Sequence, residues 1–237
     1  MYEEGFTGGA KGYIEPGVQL WWQSHIERYN AIVAAYPGRV TFEIWGHLHV
    51  DTFFVPRGTA QGRWKPPTGG ARREPTSVLW VGPSLAAWYP PKNGGMRRYS
   101  FSNTTKQHVD STVWYYDVDR STATGELDFQ KSWTASVNVF ADKPKQTIAP
   151  ADMLDLALSW RTNQTAHVEA RSRGYLHANH SIYPNCSGSS PMDERCRMID
   201  VCTIANPAPT ELALCLMNWN CVVDDIARET RCAPQLQ

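Results

Sequence analysis

The sequence predicts an α/β fold that ends in a helical, cysteine-rich segment, and three observations predict it. Residues 18–36 place Trp22, Ile26, Tyr29, Val33 and Tyr36 at helical spacing, an apolar stripe along one face. Directly after them, Val40, Phe42 and Ile44 alternate with Thr41 and Glu43, which is the two-residue period of a strand. All six cysteines, Cys186, Cys196, Cys202, Cys215, Cys221 and Cys232, fall in the last quarter of the 237 residues. The expected division is 1–145 for the sheet-bearing part and 146–237 for the helical, cysteine-rich part.

The elements follow in order. Pro16-Gly17 opens the first helix and Pro37-Gly38 closes it. Gly46 interrupts the next strand, and residues 52–55 resume an extended pattern. Residues 56–75 are rich in Pro, Gly and Arg with little apolar patterning, so they read as a long loop. Strand-like runs follow at 77–81, 97–101, 112–118 and 127–133, with Thr124-Gly125 in a hairpin connection between the last two. Residues 150–171 read as a helix, because Pro150 suits a first turn and Leu154, Ala157, Leu158 and Arg161 keep helical spacing. The tail 186–232 reads as short helices held by disulfides, and no internal repeat is present.

Composition narrows the function classes. Lys plus Arg and Asp plus Glu are 23 each, which leaves no electrostatic footprint for nucleic acid. No apolar run approaches the roughly 20 residues of a membrane span. An even number of cysteines in one short segment indicates disulfides in an oxidising compartment, and zinc is the weaker reading because no C-x-x-C occurs. N-x-S/T sequons at Asn103, Asn163 and Asn179 point the same way, with a further one at Asn185 compromised by Cys186 as its middle residue. The opening MYEEGFTGGAKGYIEPG has early acids and no apolar core, so it is not a signal peptide. A secreted or lysosomal protein whose true start lies upstream is the expectation.

The chemistry-bearing segment is Gly46-His47-Leu48-His49-Val50-Asp51. Side chains two apart on an extended segment share a side, so His47 and His49 can present nitrogens to one locus or to two adjacent ones. Imidazole is the commonest zinc ligand, and Gly46 permits close backbone approach to an ion. A pair of hydrogen-bonded histidines near a sheet edge satisfies the same pattern. Asp51 serves either as a carboxylate orienting an imidazole or as a turn residue. Glu43 is expected to face solvent or cap a neighbour, and Trp21-Trp22 to be core rather than a substrate platform. His25, His108, His167, His177 and His180 are expected on polar or surface positions. Arg57, Arg63, Lys65, Arg72 and Arg73 either attract a phosphate headgroup or form a solvated loop.

This segment resembles the G-H-x-H-x-D motif of calcineurin-like metallophosphoesterases, and more narrowly the acid sphingomyelinase-like phosphodiesterases. Pro83-Ser84 is similar to that family's A-P-S, Asn93-Gly94-Gly95 to its N-P-G, and residues 196–202 followed by Cys215 to its C-terminal cysteine subdomain. The resemblance covers essentially the whole chain. It implies part of a layered metallophosphoesterase sheet followed by a helical, disulfide-bonded subdomain. It implies a dizinc centre with His47 on one ion and His49 on the other, acting on sphingomyelin or related phosphodiesters through a dimetal-activated water. It also implies the pairings Cys186–Cys196 and Cys202–Cys215, which leave Cys221–Cys232.

The family's remaining ligands sit in D-x-H, a bridging Asp, N-H-E/D and H-I-P-P-G. Only 46 residues precede His47, and none carries D-x-H or N-H-E/D. Tyr13-Ile14-Glu15-Pro16-Gly17 stands where H-I-P-P-G is expected, with tyrosine at the ligand position; a phenol with pKa near 10 is a poor zinc donor at neutral pH. The chain thus looks like the C-terminal part of such an enzyme, inactive alone, with zinc held weakly or not at all. The expected partners are a phospholipid or other phosphodiester substrate and an N-terminal half that completes the site. A non-catalytic secreted binding protein derived from the fold is the alternative.

Overall fold

The computed structural model describes residues 2–6, 14–19, 23–36, 38–46, 51–59, 73–83, 85, 94–127, 129–134, 147–167, 191–205, 221–224 and 229–232. The first elements are β1 (Tyr2–Phe6), β2 (Ile14–Gln19), α1 (Gln23–Ala35), β3 (Phe42–Trp45) and β4 (Thr52–Phe54). Next come β5 (Arg57–Thr59), β6 (Arg73–Pro75), β7 (Val78–Val81), β8 (Gly94–Phe101) and β9 (His108–Tyr116). The last are α2 (Val118–Thr124), β10 (Gln130–Thr134), α3 (Pro150–Ser159), α4 (Pro191–Ala205), β11 (Cys221–Asp224) and β12 (Glu229–Cys232).

The chain is mixed α/β with small sheets. In the central one β7 lies between β3, parallel to it, and β4, antiparallel to it. All four residues of β7 are buried, as expected of a strand covered on both faces. Its alternate side chains enter different clusters. Leu79 and Val81 join Phe54 under Tyr29 and Trp45, on the side of α1. Val78 and Trp80 join Phe53 and Val113 in the larger core. That core also takes Ile148, Met153 and Trp160 from around α3, and Val201 and Ile204 from α4. Residues on both sides of position 145 therefore share one apolar interior. Two backbone bonds reinforce it: Val55 N donates to Ile204 O at 2.8 Å, and Ile148 N to His108 O at 2.8 Å.

Local chemistry sets the element ends and corrects several expectations. α1 begins at Gln23 rather than at Pro16-Gly17, because residues 14–19 form β2, which pairs with β1 through Ile14, Glu15, Val18 and Gln19. Val33 and Ala34 are buried in it, whereas Tyr36 is 59 % exposed. Gly38 at φ 74° turns the chain into β3. The two ends of the expected loop 56–75 pair instead as β5 and β6, placing Arg57 opposite Pro75. Between β9 and β10 stands α2 rather than a hairpin turn. The Asp117 carboxylate caps it by accepting from Arg120 N at 3.0 Å, and Gly125, at φ 71°, ends it. The helix expected over 150–171 stops at Ser159. Asn163 then starts helix again by accepting from Ala166 N at 3.0 Å. At the start of α3 the Asp152 carboxylate accepts from Ala149 N at 2.9 Å, behind Pro150 in the first turn. The tail contains a hairpin as well as a helix, with Cys221 opposite Cys232 in register.

Candidate functional site

The site predicted from the sequence is framed by three strands. β3 ends at Trp45, β7 ends level with it at Val81, and β4 begins level with both at Thr52. Gly82 N donates to Trp45 O at 3.1 Å, closing the β3 side. Gly46 and Asp51 consequently stand on opposite flanks of the carboxyl end of β7, about 10 Å apart at two inter-strand spacings. His47 and His49, between Gly46 and Asp51 in the sequence, lie outside the described residues. Tyr13, Trp21, Trp22, Arg63, Lys65, Arg72, His177, Asn179, His180, Cys186 and Cys215 also lie outside them. The carboxyl ends of strands are where open α/β sheets place ligands.

Two other motif segments meet here. A Cβ on Gly95 would stand 3.1 Å from Pro83 Cβ and 2.9 Å from Trp114 O, so only glycine lets β8 lie this close to the exit of β7. A Cβ on Gly94 would fall within 2.1 Å of the Tyr116 ring. Tyr116 in turn donates its hydroxyl to Leu85 O at 2.7 Å. The Pro83 and Gly94-Gly95 segments are thus neighbours at the end of β7.

Asp51 is fully buried and ion-paired with Arg97 of β8, whose side chain is 1 % exposed. The Arg97 guanidinium lies 4.5 Å from the Trp80 ring centroid, a cation–π stack inside the protein. Asp51 is therefore no mere turn residue. Glu43 is not solvent-facing either: it accepts from the Tyr29 hydroxyl and, at 2.5 Å, from Ser77 Oγ, joining α1 and β7 to β3. Burial, reinforced by this carboxylate, holds the Tyr29 hydroxyl protonated far above the usual tyrosine range. Burial likewise pushes Tyr99 up to about 12.

Two histidines expected at the surface are core residues. His108 is 4 % exposed, ringed by Phe42 at 4.9 Å, Trp80 at 5.5 Å, Phe101 at 5.7 Å and Tyr99 at 6.0 Å. Burial lowers its pKa to about 4, against the opposing pull of the Asp110 backbone and with a smaller push from Arg97. His167, 2 % exposed, bonds through Nε2 to Asp200 Oδ2 at 2.7 Å and so ties the turn after α3 to α4. His25 is exposed, as expected. Sequence reasoning missed Arg97 and Trp80. Arg97 shares strand phase with Tyr99, which packs against the larger core, and that phase was its available signal.

Among the described residues no group of three or more His, Cys, Asp or Glu is placed to hold a metal ion. The donor chemistry of His47 and His49 suits zinc, but two imidazoles supply half of a four-ligand shell. Cys202 is buried and disulfide-bonded. Asn103 is exposed at the tip of the β8–β9 hairpin, where Ser102 N donates to Gln107 O at 2.9 Å, and Asn163 is exposed beyond α3. No helix among the described residues is long and apolar enough to cross a membrane.

No family model matches the chain. It is 24 % identical over 221 residues, 87 % of its length, to a protein of Dictyostelium discoideum named sphingomyelinase phosphodiesterase C. It is 25 % identical over 168 residues, 71 % of its length, to sphingomyelin phosphodiesterase A of the same organism. A cyclic GMP-AMP phosphodiesterase of Rattus norvegicus matches at 20 % over 187 residues, 76 % of the chain. The chain spans less than half of each relative's length, 45 %, 24 % and 35 % respectively. Over most of its length the chain is therefore a distant relative of sphingomyelin phosphodiesterases.

Proposed function

We propose that this chain forms the C-terminal part of a sphingomyelinase-like metallophosphoesterase that hydrolyses sphingomyelin, or a related phosphodiester, to release the phosphorylated headgroup. The observation that carries it is the match to sphingomyelin phosphodiesterases over 87 % of the chain. The placing of Gly46 and Asp51 around the carboxyl end of β7 supports it. His47 and His49 are the residues that would hold zinc. When bound, a zinc pair lowers the pKa of a water and offsets phosphoryl charge. The chain's own contribution would be to supply the two imidazoles from the stretch between Gly46 and Asp51, whose flanks β3, β7 and β4 fix.

The 237 residues contain neither D-x-H nor N-H-E/D, so they supply too few ligands to work alone. Assayed with zinc on sphingomyelin vesicles, the isolated chain is expected to release no phosphocholine. Joined to the part of the Dictyostelium sphingomyelinase phosphodiesterase C that it does not cover, it is expected to release phosphocholine and to lose that activity on His47→Ala. A fusion that folds and binds zinc yet hydrolyses neither sphingomyelin nor a related phosphodiester would contradict the proposal. So would an isolated chain whose turnover His47→Ala does not touch.

The same reading places the protein on the secretory or lysosomal route, with glycans at Asn103, Asn163 and Asn179 and with the pairs Cys186–Cys196, Cys202–Cys215 and Cys221–Cys232. The register of Cys221 opposite Cys232 supports the last pair, and Cys202 is buried and bonded. Directly opposed strand residues lie about 4.5–5.5 Å apart at Cα, within disulfide range. Non-reducing peptide mapping is expected to recover a Cys221–Cys232 peptide; a Cys196–Cys202 peptide would contradict the assignment.

A further inference from the structure

We propose that the outward face of β8 and β9, with Leu85 and Leu127 at its rim, docks the protein on a phospholipid bilayer. This rests on the reading of the chain as part of an enzyme whose substrate is a lipid, and deepens it. A sheet with one face on the core ordinarily turns polar side chains outward. β8 does the reverse. Its inward phase carries Arg97, which is buried, and its outward phase carries Met96, which is 41 % exposed. Met96 pairs across the ladder with Trp114 of β9, and Gly94 with Tyr116, so both rings stand on that outward face. Gly94 has no Cβ to meet the Tyr116 ring, which therefore lies over β8. The Tyr116 hydroxyl donates to Leu85 O at 2.7 Å, and its ring meets Phe129 edge-on at 5.2 Å. Leu85 is 62 % exposed, and Leu127, two residues before Phe129, is 64 % exposed.

Apolar side chains exposed singly are ordinary on a protein surface, whereas joined ones around half-buried rings mark a docking face. Three features fit a lipid surface. The rings are those of tryptophan and tyrosine, whose amphipathic character suits the boundary between hydrocarbon and headgroups. On the same face the exposed Arg98 holds its guanidinium 5.4 Å from the Trp114 ring centroid. There it can pair with a lipid phosphate while its stem stays on apolar ground. The face also continues through Gly94-Gly95 to Pro83 at the exit of β7. A bilayer seated on it therefore meets the carboxyl end of the central sheet, beside the candidate site.

The test is co-flotation of the purified chain with vesicles of phosphatidylcholine and sphingomyelin, with and without an added anionic phospholipid. Wild type is expected to float with both, and more tightly with the anionic ones. Leu85→Ser/Met96→Ser/Leu127→Ser changes only exposed side chains, so it should melt as wild type does. It is expected to partition at least about 10-fold more weakly. Arg98→Gln is expected to weaken binding to the anionic vesicles about 5-fold. Ile32→Ser/Tyr36→Ser, exposed on and just after α1 instead, should bind as wild type. Binding is read without turnover. Wild type that floats and a triple variant that does not would therefore uphold the face even where the completed enzyme hydrolyses no phosphodiester. Wild type that does not float, or a triple variant that floats equally, would overturn it. Wild type that stays off the vesicles as a dimer, beside a monomeric triple variant, would overturn it by giving the face to a second copy of this chain.

Discussion

Arg97→Ala is expected to lower the unfolding free energy by about 3–5 kcal/mol. The substitution leaves the Asp51 carboxylate at 0 % exposure without its guanidinium, so a buried charge loses its main compensation. It also strips the cation from the Trp80 face, where a desolvated stack contributes about 2 kcal/mol within that total. Single domains are stable by only about 5–15 kcal/mol, so the variant should be near the edge of folding. Urea unfolding, read as a midpoint shift at constant slope, measures it. The paired replacement Asp51→Leu/Arg97→Met should cost far less, because no charge is then stranded. A loss below about 1 kcal/mol for Arg97→Ala would mean that the pair is solvated rather than buried.

Acid should destabilise the protein through His108. Its folded pKa, about 4, lies below the roughly 6.5 of an unfolded histidine. The proton therefore binds the unfolded state more tightly. The stability that comes from keeping the ring neutral is complete above pH 6.5, is lost as pH falls toward 4, and is gone below it. The difference of some 2.5 units converts to about 3 kcal/mol. Denaturant unfolding of wild type and His108→Phe at pH 7.5 and pH 3.5 separates this from the carboxylates that titrate in the same window. Wild type should lose about 3 kcal/mol more than the variant. Parallel pH profiles would show that the ring is hydrated in the folded protein.

Periodicity made much of the fold legible, and the exceptions have physical causes. β3, β4 and β7 were read from their apolar runs; Phe53, Phe54 and all of β7 enter the core, whereas in β3 Phe42 and Trp45 pack at its margin and Ile44 is exposed. The helix over 150–171 was read too long because apolar spacing continues past Ser159, while the Asn163 carboxamide begins a new turn there. β5 and β6 went unread, since a two-stranded ribbon of Arg, Gly, Thr, Glu and Pro has no apolar side to show. The flanks of the histidine segment were legible because Gly46 and Asp51 lie inside one local motif. Arg97 was not legible. Its partner is 46 residues away, and pairing across two sheets leaves no mark in local spacing. His108 and His167 were placed outside on the usual exposure of histidine. In this protein an aromatic shell encloses the first, and a carboxylate at 2.7 Å pays for burying the second.

Zinc uptake by the purified 237-residue chain, set beside His47→Ala/His49→Ala, tests the central claim most directly. The expected result is little zinc retained after dialysis, and weak uptake on titration that disappears in the double variant: two ligands of a larger set. Uptake that is unchanged when both histidines are removed would contradict the assignment of His47 and His49. About two ions held tightly by the isolated chain and lost in the variant would contradict the incomplete ligand set.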